Sequence, residues 1–382
     1  MEPRHADTLL IGGGVAAARC ARTLRRGGFG GSIVLVGEEA TPPYNRPPLS
    51  KELLRGEVPE ELVLAEPVAW YERRGVELLI GAPAASLDPG ERLVVLADGQ
   101  HLHYDQLLLA TGAAPRRPLL PGAEHALLLR TLADALAIRE RAIAGARAVV
   151  IGGGFIGVEV AASLAARGCA VVVIERAAAL WGGTLGSAVS EWAMRRLAGA
   201  GVEVRLEASV TSIGPDAVAV AEASLPADVV IAGVGVAPRV ELAVAARLAV
   251  DDGVLVDQRQ AAAAGEVFAA GDVARPDDGP RVEHWHAARE SGERAAMAML
   301  GQPVPPRRAP WVFSEFAEAT LDVVGWAPRW DDLDVRDGWI AYLVDGRVAQ
   351  LAILDGAVPV DAARTFVELR PAAARLAELA GA

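Results

Sequence analysis

The sequence predicts an α/β fold with two Rossmann-like dinucleotide-binding domains and a small α+β C-terminal domain. Three observations support this prediction. One supersecondary pattern occurs twice, beginning at Asp7 and at Ala146; further apolar, strand-like runs end in Gly-rich turns; and a proline-rich segment from Gly301 separates the last part of the chain. A chain of 382 residues is also too long for one ordinary core, so two or three domains are expected.

Each copy of the repeat is typical of a βαβ unit. A short apolar strand enters a Gly-rich turn, an Ala-rich helix follows, and a second strand ends in an acidic residue. The copies are DTLLIGGGVAAARCARTLRRGG, with Glu38 beyond it, and ARAVVIGGGFIGVEVAASLAARG, with Glu175 beyond it. Two such units predict two nucleotide sites.

The Gly-rich turns carry the phosphate-binding pattern. Its members are Gly12, Gly14 and Ala17 in the first copy and Gly152, Gly154 and Gly157 in the second. The first two glycines of each set permit a tight turn and the close approach of backbone amides to a pyrophosphate. Glu38 and Glu175 are placed to accept hydrogen bonds from a ribose. Because a carboxylate repels a 2′-phosphate, NADH is expected rather than NADPH.

The rest of the chain supplies further strands and helices. Pro83 to Asp105 predicts a β-meander that leads into the strand QLLLATG, and LPADVVIAGVGVAP and VFAAGDVA predict buried strands. Glu283 to Leu300 has helical spacing, and the prolines of GQPVPPRRAP then mark a domain boundary. Beyond it, TLDVVGW, GWIAYLVDG and RVAQLAILDG predict strands, followed by a helical tail from Asp361.

Composition excludes several classes of protein. The net charge of -12 disfavours nucleic acid and anionic membranes as partners. Cys20 and Cys169 are the only cysteines and show no CxxC or zinc spacing, so we expect a reducing cytoplasm and no metal site. The N-terminus lacks the pattern of a signal peptide, and every apolar stretch is shorter than the roughly 18 residues of a membrane span.

The segment PPYNRPPLSK stands out because Lys51 is the only lysine among 37 basic residues and Asn45 is the only asparagine. Lysine offers a compact ammonium, whereas arginine presents a planar fork, so Lys51 indicates a niche that arginine does not fill. Arg46 could clamp a pyrophosphate, with the prolines stiffening the loop. The alternative is that Lys51 is a solvated residue at the start of a helix and is lysine only by chance.

Near residue 270, Gly271 and Asp272 predict a turn in which the carboxylate can accept a hydrogen bond from a ribityl chain, although such turns are also commonplace.

These motifs together resemble one known family. GGGVAA, PYNRPPLSK, ATGAAPR, IGGGFIGVE, GVGVAP, AAGDVA and EHWHAARESG occur in family order over about residues 6 to 300. The chain is similar to the FAD-dependent NADH:ferredoxin reductases of oxygenase systems, the putidaredoxin and rubredoxin reductase family. The resemblance implies a glutathione-reductase-like arrangement, with an FAD domain at 1–112 and 238–303, an NAD domain at 113–237 and an interface domain at 304–382.

The resemblance also implies roles for single residues. Lys51 would lie beside the reactive edge of the flavin and pair with Glu159, and these two are the implied catalytic residues; a solvated or capping role is the alternative for Glu159. The implied FAD contacts are Gly12, Gly14, Ala17, Glu38, Arg46, Lys51, Ala84, Thr111, Gly112, Arg130, Gly271, Asp272 and Trp285. The implied NAD contacts are Gly152, Gly154, Phe155, Ile156, Gly157, Glu175 and Gly235. An ordinary core position is the alternative for Trp285.

Relatives on this scaffold that reduce disulfides or peroxide carry a cysteine beside the flavin, and PPYNRPPLSK has none. The resemblance therefore implies hydride transfer from NADH to FAD and single-electron transfer to a ferredoxin or rubredoxin, for an oxygenase or P450 system, by a monomer or homodimer. An NADH oxidase using oxygen or quinone and a redox sensor similar to apoptosis-inducing factor remain open. The family's Trp-Ser-Asp stretch is altered, with Ser314 and Glu315 in its place, and Arg307, Arg308 and Arg329 are candidates for an acceptor-docking patch.

Overall fold

The computed structural model describes residues 4–221, 223–262 and 266–381. The outer ends of the predicted FAD and C-terminal domains, residues 1–3 and 382, lie outside the described residues. The chain forms two compact units. The first comprises Met1–Asn45, Glu60–Ala114 and Ala237–Arg307, and the second comprises Arg46–Pro59, Pro115–Val236 and Arg308–Ala382. The three predicted domain boundaries remain a prediction.

The first unit is a sheet with helices packed on it. Its strands are β1 (Arg4–Ile11), β2 (Ile33–Gly37), β3 (Val76–Ile80), β4 (Ala84–Asp88), β5 (Leu93–Leu96), β6 (His101–Leu109), β16 (Val254–Val256), β17 (Val267–Ala269) and β18 (Ala274–Pro276). Its helices are α1 (Val15–Arg26), α3 (Val68–Arg73), α7 (Glu241–Ala245) and α8 (Trp285–Met299). The main sheet has the order β3-β2-β1-β6-β5-β4, with β17 also paired to β6, and β16 and β18 form a separate two-stranded sheet.

The order of this sheet explains where its functional residues gather. β1 pairs in parallel with β2 and β6, and β17 pairs in parallel with β6. Parallel strands bring their carboxyl ends to one edge of the sheet, so Gly12, Glu38, Thr111 and Gly271, which follow these strands, share that edge. The predicted meander is present as the antiparallel run β4-β5-β6.

The second unit contains the other βαβ repeat. Its strands here are β8 (Arg147–Ile151), β9 (Ala170–Ile174), β10 (Val202–Arg205), β11 (Val210–Ile213), β12 (Ala217–Val220), β13 (Ala223–Pro226) and β14 (Val229–Ala232). Its helices are α2 (Glu52–Arg55), α4 (Leu132–Arg141), α5 (Phe155–Ala166) and α6 (Gly182–Gly199). The parallel sheet β10-β9-β8-β14 places Gly152, Glu175 and Gly233 at one edge, and β11-β12-β13 forms a small antiparallel sheet. The short strands β7 (Ala113–Pro115) and β15 (Val236–Pro238) lie where the chain passes between units.

The C-terminal part of the second unit is the predicted α+β structure. Its elements are β19 (Trp311–Phe316), β20 (Ala319–Gly325), β21 (Asp332–Arg336), β22 (Trp339–Val344), β23 (Arg347–Leu354) and α9 (Val360–Glu368). The antiparallel order is β19-β20-β23-β22-β21, and α9 packs on it through Phe366 and Val367. Sequence patterning did not indicate β19, because its buried face includes the polar Ser314. None of the helices in the described ranges has both the length and the apolar character that a bilayer crossing requires.

Candidate functional site

The first Gly-rich turn has the geometry of a diphosphate site. Gly12 has φ 129°, and a Cβ there would lie 2.1 Å from the carbonyl oxygen of Ala110, so only glycine lets the ends of β1 and β6 come this close. Gly14 precedes α1, and the position of its absent Cβ is open. The start of α1 has no side-chain cap and no acidic residue in its first turn. Its free amides and positive dipole end therefore fit an anionic phosphate group.

The second turn repeats this geometry in the other unit. Gly152 has φ 105°, and its Cβ would lie 2.4 Å from the Gly233 oxygen. Gly157 packs α5 against the turn, since its Cβ would meet the Gly152 oxygen at 2.0 Å. Gly154 is open, and α5 again begins without a side-chain cap or an acidic first turn. In the first repeat Ala17 takes the place of the third glycine and is fully buried. The residues present thus fit one dinucleotide in each unit.

The two acidic residues at the strand ends have different partners. Glu175 accepts hydrogen bonds from the amides of Gly153 at 2.6 Å and Ala177 at 2.8 Å, which fixes its carboxylate beside the turn. Glu38 instead pairs with the guanidinium of Arg239, and this hydrogen bond lowers the pKa of Glu38. A carboxylate has about four lone-pair sites, so each can still accept from a ribose.

Arg239 contacts three of the predicted FAD residues, and sequence reasoning did not indicate it. Its amide donates to the Gly112 oxygen at 2.9 Å, and its own oxygen accepts from Thr111 Oγ1 at 2.7 Å. These bonds hold Arg239 against the predicted FAD residues Thr111 and Gly112, while its side chain reaches Glu38. The pairing joins residues 201 positions apart, so no local pattern could have indicated it.

Lys51 and Glu159 form a buried ion pair, as predicted from the family resemblance. Lys51 Nζ lies 2.7 Å from Glu159 Oε2, and the side chains are 6% and 5% exposed. Ser50 donates to the same oxygen at 2.5 Å, and Ser314 donates to Glu159 Oε1 at 2.7 Å. Three donors on one carboxylate hold the Lys51 ammonium in a defined place. The alternatives of a solvated lysine and an exposed glutamate are ruled out by this burial.

Two predicted phosphate ligands also meet in the second unit. The Arg46 guanidinium donates to the main-chain oxygen of Arg130. The amides of Arg130 and Thr131 donate to Asp134 at 3.0 and 2.8 Å, and Thr131 caps α4. These bonds fix the backbone at Arg130, and the Arg46 side chain is held against it, which fits a role for the two cations at an anionic group.

Trp285, the first residue of α8, is held by side chains of the first unit. Its indole Nε1 donates to Asn45 Oδ1 at 2.8 Å, and the Arg289 guanidinium carbon lies 4.5 Å from the ring centroid. In the same unit, Gly271 has φ 78° and its amide donates to Ser291 Oγ at 2.9 Å. Asp272 lies in this turn at the carboxyl end of β17, and its contact with a ribityl chain remains a prediction.

The remaining predicted residues lie on the turns themselves or beside them. Phe155 is anchored against Trp181, with ring centroids 5.7 Å apart, whereas the adjacent Ile156 is 42% exposed. Gly235, with φ 96°, accepts from the amide of Arg116 at 2.8 Å. Ala84 begins β4, two residues beyond Ala82, whose amide donates to the Gly37 oxygen at 2.9 Å.

Neither cysteine is suited to redox catalysis. Cys20 and Cys169 are free, buried and in different units. Burial raises the pKa of both thiols, which disfavours the reactive thiolate.

Among the described residues, one group of potential metal ligands occurs, formed by His5, Asp7 and Asp105. His5 and Asp105 are more than half exposed, and Asp7 already accepts hydrogen bonds from Ser32. Exposed groups of this kind are common without an ion, so we assign it no metal.

Comparison with known proteins places the chain among flavin enzymes. Residues 6–292 match the family described as pyridine nucleotide-disulphide oxidoreductase. The chain belongs to this family. It is 36% identical over 380 residues to the biphenyl dioxygenase system ferredoxin–NAD(+) reductase component of Paraburkholderia xenovorans (strain LB400), covering 94% of this chain and 91% of that protein. It is 35% identical over 367 residues to putidaredoxin reductase of Pseudomonas putida, covering 90% and 87%.

A solved structure gives the same assignment. The crystal structure of the covalent putidaredoxin reductase–putidaredoxin complex matches with a TM-score of 0.91 and 31% identity, covering 96% of this chain and 93% of that one. The predicted family resemblance and α/β fold class are thereby confirmed. The predicted oxidoreductase activity with FAD and NADH is confirmed as well. The roles of single site residues remain predictions.

Proposed function

We propose that this flavoprotein takes hydride from NADH and delivers electrons singly to a ferredoxin, in support of an oxygenase or P450 system. The relatives named for biphenyl dioxygenase and putidaredoxin support a ferredoxin as acceptor. Bound FAD supplies the redox chemistry, by accepting a hydride and returning electrons one at a time. A rubredoxin acceptor, a cytoplasmic location and a monomeric or homodimeric state are parts of the same proposal.

The observation that carries the proposal is the burial of the two cysteines, which argues against a thiol relay between the flavin and the acceptor. Members of this family that reduce disulfides need a reactive thiol, and here both thiols are buried with raised pKa values. Because neither cysteine is suited to relaying electrons, the electrons must pass from the flavin directly to an external acceptor. A one-electron carrier of the iron–sulfur type fits this requirement.

The residues of the chain have positioning and electrostatic roles in the proposal. Amides at the starts of α1 and α5 bind the diphosphates of FAD and NADH, and Glu38 and Glu175 accept from their riboses. Lys51, held by Glu159, lies beside the flavin and stabilises negative charge that develops there. Arg46, Arg130, Asp272 and Trp285 contact FAD. The proposal requires no proton-transfer residue, and it gives His284 and His286 structural or surface roles.

The test is anaerobic stopped-flow reduction of the purified holoprotein by NADH, followed by mixing with oxidised ferredoxins, a rubredoxin or oxygen. We expect rapid flavin bleaching and fast reoxidation by a ferredoxin. Fast reoxidation by oxygen or quinone alone would instead identify an NADH oxidase. A long-lived reduced flavin–NAD charge-transfer band with a changed sedimentation rate would identify a redox sensor.

A further inference from the structure

Asn45 is the only asparagine in the chain, and every hydrogen-bonding group of its side chain is in use. Nδ2 donates to the main-chain oxygens of Val63 and Leu64, both at 3.3 Å. Oδ1 accepts from the indole Nε1 of Trp285 at 2.8 Å. The Asn45 side chain thus joins the segment at Val63 and Leu64 to Trp285, the first residue of α8, which is 240 positions from Asn45 in the sequence.

The arrangement of these partners requires an amide. Trp285 offers only a donor, and Val63 and Leu64 offer only carbonyl acceptors, so the side chain must present one acceptor and two donors in fixed directions. Aspartate would place a second oxygen against the two carbonyl oxygens, which it would repel. Leucine would form none of the three hydrogen bonds. Glutamine is longer by one methylene, and the main-chain bonds of Asn45 to Val63 at 2.7 Å and of Ala65 to Pro43 at 2.8 Å leave little room to adjust.

Trp285 is constrained on two sides as a result. Asn45 fixes the edge of the indole that carries Nε1, and Arg289 lies over the ring with its guanidinium carbon 4.5 Å from the centroid. The ring is half-buried, so part of its surface stays accessible. A Trp side chain with both its edge and its face held has one defined orientation.

We propose that Asn45 is a positioning residue for FAD, which holds the Trp285 indole in the orientation that the cofactor requires. This inference rests on the proposed function, in which Trp285 contacts FAD. It also explains why asparagine persists at this single place in the chain. Lys51, six residues later, persists for a separate reason, the ion pair with Glu159.

A double-mutant cycle tests the proposal without NADH or ferredoxin. Asn45→Leu removes all three side-chain bonds at similar volume, and Trp285→Phe removes only the indole donor and part of the ring. The readouts are the FAD dissociation constant of the flavin-depleted protein and the visible circular dichroism of bound FAD. We expect Asn45→Leu to weaken FAD binding about tenfold and to diminish the dichroic band, as for the loss of a buried hydrogen bond. In the Trp285→Phe background, Asn45→Leu should change binding by less than about twofold.

Two further variants separate positioning from general folding. Asn45→Asp retains an acceptor for Trp285, so it should keep the dichroic band while lowering the thermal midpoint. Gln106→Met removes a comparable bond elsewhere in the first unit, from Gln106 Nε2 to the Met299 oxygen at 3.1 Å, and should lower stability while leaving FAD binding unchanged.

Equal effects of Asn45→Leu in both backgrounds would show that Asn45 serves only the loop, and would overturn the inference. If Trp285→Phe weakens FAD binding but Asn45→Leu does not, Trp285 contacts FAD without help from Asn45, and the positioning role of Asn45 is wrong. If Trp285→Phe leaves affinity and dichroism unchanged, the contact itself fails and the inference with it. Reduction of a ferredoxin by NADH is measured separately, so it is independent of these outcomes.

Discussion

At the scale of single residues, Lys51 shows how a buried charge depends on its neighbours. Taking an ammonium and a carboxylate out of water is costly, and their attraction offsets this only when further hydrogen bonds satisfy the carboxylate. Ser50 and Ser314 supply those bonds to Glu159. Ser314 comes from β19, so the C-terminal sheet takes part in holding Lys51. In the proposed site, a cation fixed in this way would stabilise a reduced flavin without reorganisation.

Lys51→Met tests that electrostatic role. We expect the variant to retain FAD, to be reduced more slowly by NADH and to have a lower flavin potential. Glu159 would lose its countercharge, so the free energy of unfolding should fall by about 3–5 kcal/mol. The measurements are stopped-flow reduction, dye-equilibration potentiometry and urea unfolding.

The control is the double variant Lys51→Met/Glu159→Gln, which removes the uncompensated buried charge. It should recover most of the stability but not the potential, because stability depends on charge balance and the potential depends on the cation. An unchanged reduction rate and potential in Lys51→Met would remove Lys51 from the mechanism.

The pair formed by Glu38 and Arg239 predicts a pH dependence. The hydrogen bond from Arg239 lowers the pKa of Glu38, so folding favours the ionised carboxylate. The contribution of the pair is therefore fully present above the ordinary glutamate pKa of about 4.3 and is lost as pH falls through the lower folded pKa. Both side chains are substantially exposed, so the pair contributes at most about 1 kcal/mol.

Arg239→Gln should lower the free energy of unfolding slightly at pH 7. It should have no effect at a pH low enough to protonate Glu38 in both the wild-type protein and the variant. It should also shift the acid-induced release of FAD to higher pH, because Glu38 without Arg239 is protonated at a higher pH. The measurements are thermal unfolding and flavin fluorescence from pH 7 down to 3. Arg55→Gln is the matched control, since Arg55 likewise lowers the pKa of Glu57 but lies outside the predicted ribose site. Equal FAD release by the two variants would contradict a role for Arg239.

At the scale of elements, the site depends on turns that join parallel strands to helices. In both units these turns follow strands whose carboxyl ends meet at one sheet edge. The first glycine of each turn avoids a backbone clash, and the next leaves the helix amides open. Strand pairing therefore requires the first glycine, because a side chain there would clash with the backbone. Phosphate binding requires the second glycine, because a side chain there would cover the helix amides.

Gly152→Ala tests the first of these demands. Its Cβ would approach the Gly233 oxygen to 2.4 Å at φ 105°, so β8 and β14 must separate at this end. We expect a loss of stability of about 1–3 kcal/mol or more, with weaker binding of NADH and retention of FAD. Gly145→Ala is the control, because Gly145 has φ 84° but open space around its Cβ position. Calorimetry and NADH titration give the readouts, and equal losses in the two variants would rule out the clash.

At the scale of the whole molecule, the acidic charge raises a question about acceptor binding. A net charge of -12 repels an acidic ferredoxin, so docking requires local positive charge. Arg307 and Arg308 are paired with Asp278 and Glu368, which reduces their value as docking charges. Arg329 is exposed in the loop after β20, near Trp326, which is 46% exposed.

Arg329→Glu should slow ferredoxin reduction several-fold at low salt, because charge complementarity acts mainly on the association rate. The difference should diminish as salt is raised, while reduction of the flavin by NADH stays unchanged. Arg336→Glu makes the same charge change elsewhere in the C-terminal sheet, where Arg336 is paired with Asp334. Equal slowing by both variants would indicate a general charge effect rather than docking at Arg329.

The sequence by itself determined the fold class, the two dinucleotide turns and the enzyme class. The fold class and the turns depend on local patterns: strand and helix periodicity, glycines at fixed spacing and an acidic residue at the next strand end. The enzyme class came from the resemblance of the motifs to a known family. It also drew attention to Asn45 and Lys51 through composition, without showing what holds them.

Only the tertiary structure decided which distant residues complete the sites. Arg239 reaches Glu38, Ser314 reaches Glu159 and Trp285 reaches Asn45. The strand β19 was missed for the same reason, because a buried serine resembles an exposed one until its partner is known. Hydrogen bonds and ion pairs of this kind form between groups brought together by folding, and their geometry has no counterpart in the spacing of residues along the chain.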